Sequence, residues 1–184
     1  MTDLNVFNII SFLMIFFIGL PHGSFDGAVA FLVGFKTKKQ FINFILSYLS
    51  LSLFVIIFWI YFPILSLLIF LFMTIAHFGL CDWTNFKITK HKFPISFTYG
   101  MTVIFGIIYF NEKQAFKIFE YLTNENIYFI QEFFYIPYLL TLISIIYFVY
   151  LSFYESKLRR GCVEIFLLLL IFYIFDPLLS FAIY

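Results

Sequence analysis

From Gln40 to Cys81 the chain runs 42 residues without an Asp, Glu, Lys or Arg. As α-helix that run would measure about 63 Å at 1.5 Å per residue, twice the hydrocarbon thickness of a bilayer. Two consecutive membrane spans account for it. The rest of the 184 residues conform: 64% are hydrophobic, 25% aromatic and only 11% charged, more apolar surface than a soluble domain of this length could cover. A transmembrane β-barrel would show segments of about 10 residues alternating apolar and polar, whereas these runs are continuously apolar. The sequence predicts an all-α polytopic transmembrane helical bundle, with residues 1–184 forming one integral membrane domain.

Apolar runs mark about six spans: Leu4–Leu20, Phe41–Tyr61, Pro63–Trp83, Phe93–Phe110, Phe133–Phe153 and Val163–Phe175. Pro63 suits a first helical turn, where its missing N–H costs nothing. Asp176-Pro177 reads as a turn between helices, leading into the start of another span. Gly23–Phe35 is too short to cross alone and carries Asp26, so it reads as a continuation of the first helix or a re-entrant segment. Glu112–Leu122 sets Phe116, Phe119 and Leu122 among Lys113, Lys117 and Glu120, the pattern of a helix lying in the membrane interface.

If the loops alternate sides, one side holds Lys36, Lys38, Lys39, Lys87, Lys90, Lys92, Lys157, Arg159 and Arg160, and the other only Lys113 and Lys117. Retention of basic loops in the cytoplasm then predicts a multi-pass protein of the cell inner membrane with its N-terminus outside. No Lys or Arg precedes Lys36, so the first apolar run lacks the basic flank of a cleaved signal and is expected to persist. With net charge +1 and basic residues scattered in short loops, no nucleic-acid partner is expected. Cys81 and Cys162 adjoin apolar runs and read as small packing residues with free thiols.

In such a chain the informative residues are the polar ones in or at the ends of spans. His22 ends the first span in Gly19-Leu-Pro-His-Gly23, with Asp26 following, and His77 lies near the end of the third span in Ala76-His-Phe-Gly-Leu-Cys-Asp82. Both fall toward the cytoplasmic leaflet at comparable depth, which argues for a joint metal site, each imidazole ligating through one nitrogen and leaning on a carboxylate through the other. Asp26 and Asp82 are the candidates. His22 and Asp26 share a face if the backbone after Pro21 is helical, whereas His77 and Asp82 need a helix end between them, which Gly79 could supply. The plainer reading is that each histidine hydrogen-bonds a neighbouring helix. Gly19, Gly23 and Gly27 recur every four residues, a ridge for close helix approach that could also leave room beside His22. Glu164 reads equally as a buried partner or a solvated helix-end residue, and His91, between Lys90 and Lys92, as a solvated loop residue.

The run Gly-Leu-Pro-His-Gly-Ser-Phe-Asp, then His-Phe-Gly and Asp82, then Glu164 in an apolar helix and the closing Pro177-Leu-Leu-Ser-Phe-Ala-Ile-Tyr184, together resemble the Brp/Blh family of membrane β-carotene 15,15′-dioxygenases. The resemblance covers nearly the whole chain. It implies an Fe(2+)-dependent enzyme that uses O2 to split the central double bond of β-carotene into two retinal molecules, in membrane lipid and with a functional link to a rhodopsin. His22 and His77 match the family's first two proposed iron ligands, with Asp26, Asp82 and Glu164 as outer carboxylates that orient the rings. The family pattern continues into a further helix with two more histidines, so the resemblance implies a chain truncated at its C-terminus. Two rival functions fit intramembrane His and Asp residues: a non-catalytic carotenoid-binding protein, and a small proton or solute transporter, which would commonly show inverted repeats not seen in this sequence.

Overall fold

Thr37 begins the longest helix by reciprocal capping. Its hydroxyl accepts from the Gln40 N–H at 3.3 Å while Gln40 Oε1 accepts from the Thr37 N–H at 3.1 Å, so two donors that a helix start leaves unsatisfied are both paired. The computed structural model describes residues 6–19, 25–83 and 91–184, and among them every regular element is helical and none is a strand. In chain order these are α1 (Val6–Met14), continuing as a π-helical turn Ile15–Gly19, then α2 (Asp26–Val33), α3 (Lys38–Tyr61), α4 (Pro63–Trp83), α5 (Lys92–Phe110) and α6 (Glu112–Thr123). There follow α7 (Tyr128–Gln131), running through a 3-10 turn Glu132–Phe134 into α8 (Tyr135–Tyr154), then α9 (Arg159–Ile174) and α10 (Pro177–Ile183).

The fold is an all-α membrane bundle. Four described stretches are long and apolar enough to cross a bilayer: Lys38–Tyr61, Pro63–Cys81, Lys92–Phe110 and Tyr128–Tyr154. They coincide with four of the six expected spans. At the position of the sixth lies α9, whose 16 residues give about 24 Å of helix, short of a full crossing. The first expected span is described only from Val6 to Gly19.

The chain divides into two compact units, Met1–Phe62 and Pro63–Tyr184. In the first, α2 begins at Asp26, where a carboxylate in the first turn suits the helix dipole, and α3 presents no buried residue along its 24 positions. Phe35 packs on Phe44 of α3 at a ring separation of 5.4 Å.

The second unit is built around α5, in which 13 of 19 residues are buried because other helices cover it on several sides. Antiparallel to it, α4 crosses with Gly79 against Ser96 and Gly100 against Ile75. Also antiparallel, α8 packs Phe148 edge-on to Tyr99 at 5.6 Å and Phe134, in the turn before it, to Phe105 at 5.8 Å. Tyr99 and Phe148, 1% and 0% exposed, centre a core completed by Ile95, Leu151, Leu158 and Ile165. Parallel to α5, α9 is fixed by Asn111, whose side-chain amide donates to the carbonyls of Phe172 at 2.9 Å and Phe175 at 3.2 Å. These are carbonyls that the end of α9 leaves unsatisfied.

The amphipathic α6 buries Phe116 and Phe119 as its sequence predicts, with Ala115 and Thr123, and exposes Lys113 and Lys117; Leu122, expected on the apolar face, is exposed instead. Asp176-Pro177 makes the expected turn: Asp176 Oδ1 accepts from the Leu179 N–H at 2.9 Å and Pro177 opens α10. From there α10 brings Phe181 and Tyr184 onto Phe78 of α4, at ring separations of 6.0 and 4.9 Å.

Candidate functional site

His77 stands on α4 two residues after Ile75 and two before Gly79, both of which face α5. Two helical positions turn the side chain through about 200°, so His77 lies on the opposite face, and it is exposed. Cys81, one turn further along that face, is also exposed, with Sγ 4.0 Å from His77 Nε2. The His77 ring meets Phe78 edge-on at 5.5 Å, and Phe78 is held by the aromatic rings of α10. Sequence spacing places Cys81 near His77, but its expected packing role does not hold. Cys162 keeps that role, partly buried against the Tyr99–Phe148 core.

Gly79 does not end the helix. α4 continues unbroken to Trp83, because glycine is needed at this position for another reason: a β-carbon there would overlap the Ser96 carbonyl. The helix end expected between His77 and Asp82 is therefore not there. The Asp82 side chain lies outside the described part of the structure, as does all of His22 with Gly23, so their expected approach to His77 lies there too. Asp26 is the first residue of α2, and the Gly27 ridge position meets the Phe41 ring only at an ordinary 3.7 Å. Gly23 lies outside the described residues, and close helix approach is found at Gly79 and Gly100.

Glu164 is half-buried and bonded on both oxygens: Arg160 Nε donates to Oε1 at 2.8 Å, and the buried Tyr99 hydroxyl donates to Oε2 at 3.3 Å. Its described partners join α9 to α5. His91, expected in solvent, stands at the N-cap position of α5 without a side-chain bond to that helix, its Nδ1 3.3 Å from the Tyr147 hydroxyl of α8. Neither contact is visible from local sequence, because the partners are 65 and 56 residues away.

A neutral imidazole offers one lone pair to a metal and a thiol becomes a strong ligand on deprotonation, so His77 and Cys81 are two donors on one helix face. Among the described residues no group of three or more His, Cys, Asp or Glu comes together, so they do not by themselves fit an iron ion.

The other feature of the second unit is an apolar cavity of about 490 Å³ between α4, α5 and the α7–α8 corner. Its floor is formed by Leu71, Ile75, Met101, Phe105, Ile130 and Phe134, all buried. The lining contains no hydrogen-bonding side chain.

Comparison with known proteins places these features in a family. The family described as Beta-carotene 15,15'-dioxygenase matches residues 13–184. A curated relative from uncultured marine bacterium 66A03, named Beta-carotene 15,15'-dioxygenase, is 34% identical over 113 residues, which cover 60% of this chain and 41% of that protein. The match thus spans about two-fifths of the relative's length. No solved structure matches the chain. With nearly its whole length matched, the chain belongs to the β-carotene 15,15′-dioxygenase family.

Proposed function

We propose that this chain serves a membrane dioxygenase that splits β-carotene at its central double bond into two molecules of retinal. The family match over residues 13–184 carries the reading, and the curated relative's name supports it. In this reaction one C=C bond breaks, two C=O bonds form, and each oxygen atom of O2 ends on one aldehyde. A polyene of this kind partitions into lipid, so an all-helical bundle with exposed apolar faces meets its substrate laterally, without passage through water.

Iron dependence belongs to the same proposal. His77 and His22 are the proposed ligands, and iron would supply O2 activation. His77 and Cys81 alone leave such a site short of donors, so the iron reading rests on the family resemblance and not on described geometry. The proposed orientation puts the N-terminus outside and the basic loops inside an inner membrane. It is supported by the second unit, where Lys92 and the Lys157–Arg160 corner share one end of the bundle and Lys113 and Lys117 occupy the other. A rhodopsin, which takes retinal as its chromophore, is the proposed consumer of the product.

The test is purification from cells that make β-carotene, with retinal and bound iron measured on the same sample. Retinal together with iron, both lost in His22→Ala and His77→Ala, supports the full reading. Retinal without iron removes the metal and keeps the reaction. Bound β-carotene that is never cleaved favours the carotenoid-binding alternative.

A further inference from the structure

The cavity between α4, α5 and the α7–α8 corner has a buried floor and an exposed apolar rim. On the rim Leu68 is 40% exposed, Phe72 64%, Phe129 62%, Phe133 65% and Leu140 47%. A rim of this kind opens toward lipid, since nothing on it can hydrogen-bond water or a headgroup. Six of the 14 lining side chains are phenylalanines, whose flat faces suit a conjugated hydrocarbon better than a flexible saturated chain. Along α4 the groove extends from Ile64 to Ile75, about 16 Å of helix, on the α5-facing side of α4 and opposite to His77.

Its volume limits what it can hold. An apolar cavity of 150 Å³ accommodates benzene, so 490 Å³ accommodates about 20 carbons, roughly half of a β-carotene molecule. We propose that this groove seats one end ring and one polyene arm of β-carotene, leaving the central double bond and the other arm outside it. The proposal rests on the carotenoid reading of the family and adds to it a location and a size. Because the rim is apolar and open, the arm enters and leaves sideways through it.

The test fills the groove without disturbing the floor. Leu68→Trp and Leu140→Trp each add an indole at the rim, while Leu65→Trp and Leu142→Trp, at exposed positions 48% and 55% accessible outside the groove, control for the substitution itself. Each full-length variant is expressed in β-carotene-producing cells and purified in detergent. Bound carotenoid per chain is read by absorbance, and retinal and phospholipid are measured alongside. The expected result is a loss of bound carotenoid of about tenfold in both groove variants and none in the controls. Full carotenoid retention or full retinal yield in both groove variants overturns the proposal while leaving the family reaction intact. Stoichiometric phospholipid released only by the groove variants, with carotenoid binding unchanged, also overturns it and assigns the groove to a lipid chain. Loss of carotenoid in the groove variants of a protein that never makes retinal sustains the groove and rejects the cleavage reading.

Discussion

Gly79 of α4 lies against the Ser96 carbonyl of α5 so closely that any β-carbon would overlap it. One turn away the relation is returned, with Gly100 of α5 against the Ile75 carbonyl of α4. In lipid, where burial from water does not drive helices together, such backbone contact supplies dispersion and weak Cα–H···O attraction that bulkier residues would forbid.

Gly79→Ala and Gly100→Ala should each destabilise the bundle by about 1–3 kcal/mol, since the obstacle is a backbone carbonyl that cannot swing aside. Gly27→Ala, which meets a phenyl ring at ordinary distance, should stay within about 0.5 kcal/mol. Reversible unfolding of the purified variants in micelles separates the two classes, and equal stability for all three would mean that the α4–α5 crossing is looser than described.

Tyr99 and Glu164 should couple. Tyr99→Phe and Glu164→Leu are each expected to cost about 1 kcal/mol, and the double variant less than their sum, because each removes one end of the same hydrogen bond. Arg160→Ala should change stability little, since its side chain is 86% exposed and its ion pair well solvated. Additive losses in the double-mutant cycle would rule out the pairing.

Asn111→Ala should cost about 1–3 kcal/mol by leaving the Phe172 carbonyl without its donor and the Phe175 carbonyl with the Ser180 hydroxyl at 3.1 Å alone. Asp176→Ala, which removes the α10 cap, should cost about 0.5–2 kcal/mol. Amide exchange distinguishes the two: Asp176→Ala should release the Leu179 and Ser180 amides, whereas Asn111→Ala should also loosen the last turn of α9. Protection unchanged at Leu179 in Asp176→Ala would argue against the cap.

Much of the fold was legible because a bilayer leaves few alternatives. Apolar runs in the sequence correspond to α3, α4, α5 and α8, and the spacing of Phe116 and Phe119 corresponds to α6. The Asp176-Pro177 turn was legible for a local reason, a cap residue followed by proline at the first helical position. Gly79 was misread because the same residue type ends helices and permits close crossings, and only the partner helix decides between them. The spacing of Ser96 and Gly100, two small residues four apart, was a signal that could have pointed to the seam. Tyr99–Glu164, His91–Tyr147 and the Asn111 clamp were not legible, since each joins segments more than 50 residues apart. At the candidate site, sequence drew attention to His77 and the neighbourhood of Cys81, but it could not reveal that His77 faces away from the α4–α5 seam.

The most direct test of the proposed function is retinal formation from β-carotene in membranes of cells that express this protein from its own gene. The account predicts retinal appearing as β-carotene disappears, two molecules formed for each one consumed, and no retinal from the His77→Ala protein present at equal level in the same membranes. Intact β-carotene with no retinal from the unaltered protein, or an unchanged retinal yield from His77→Ala, would contradict it.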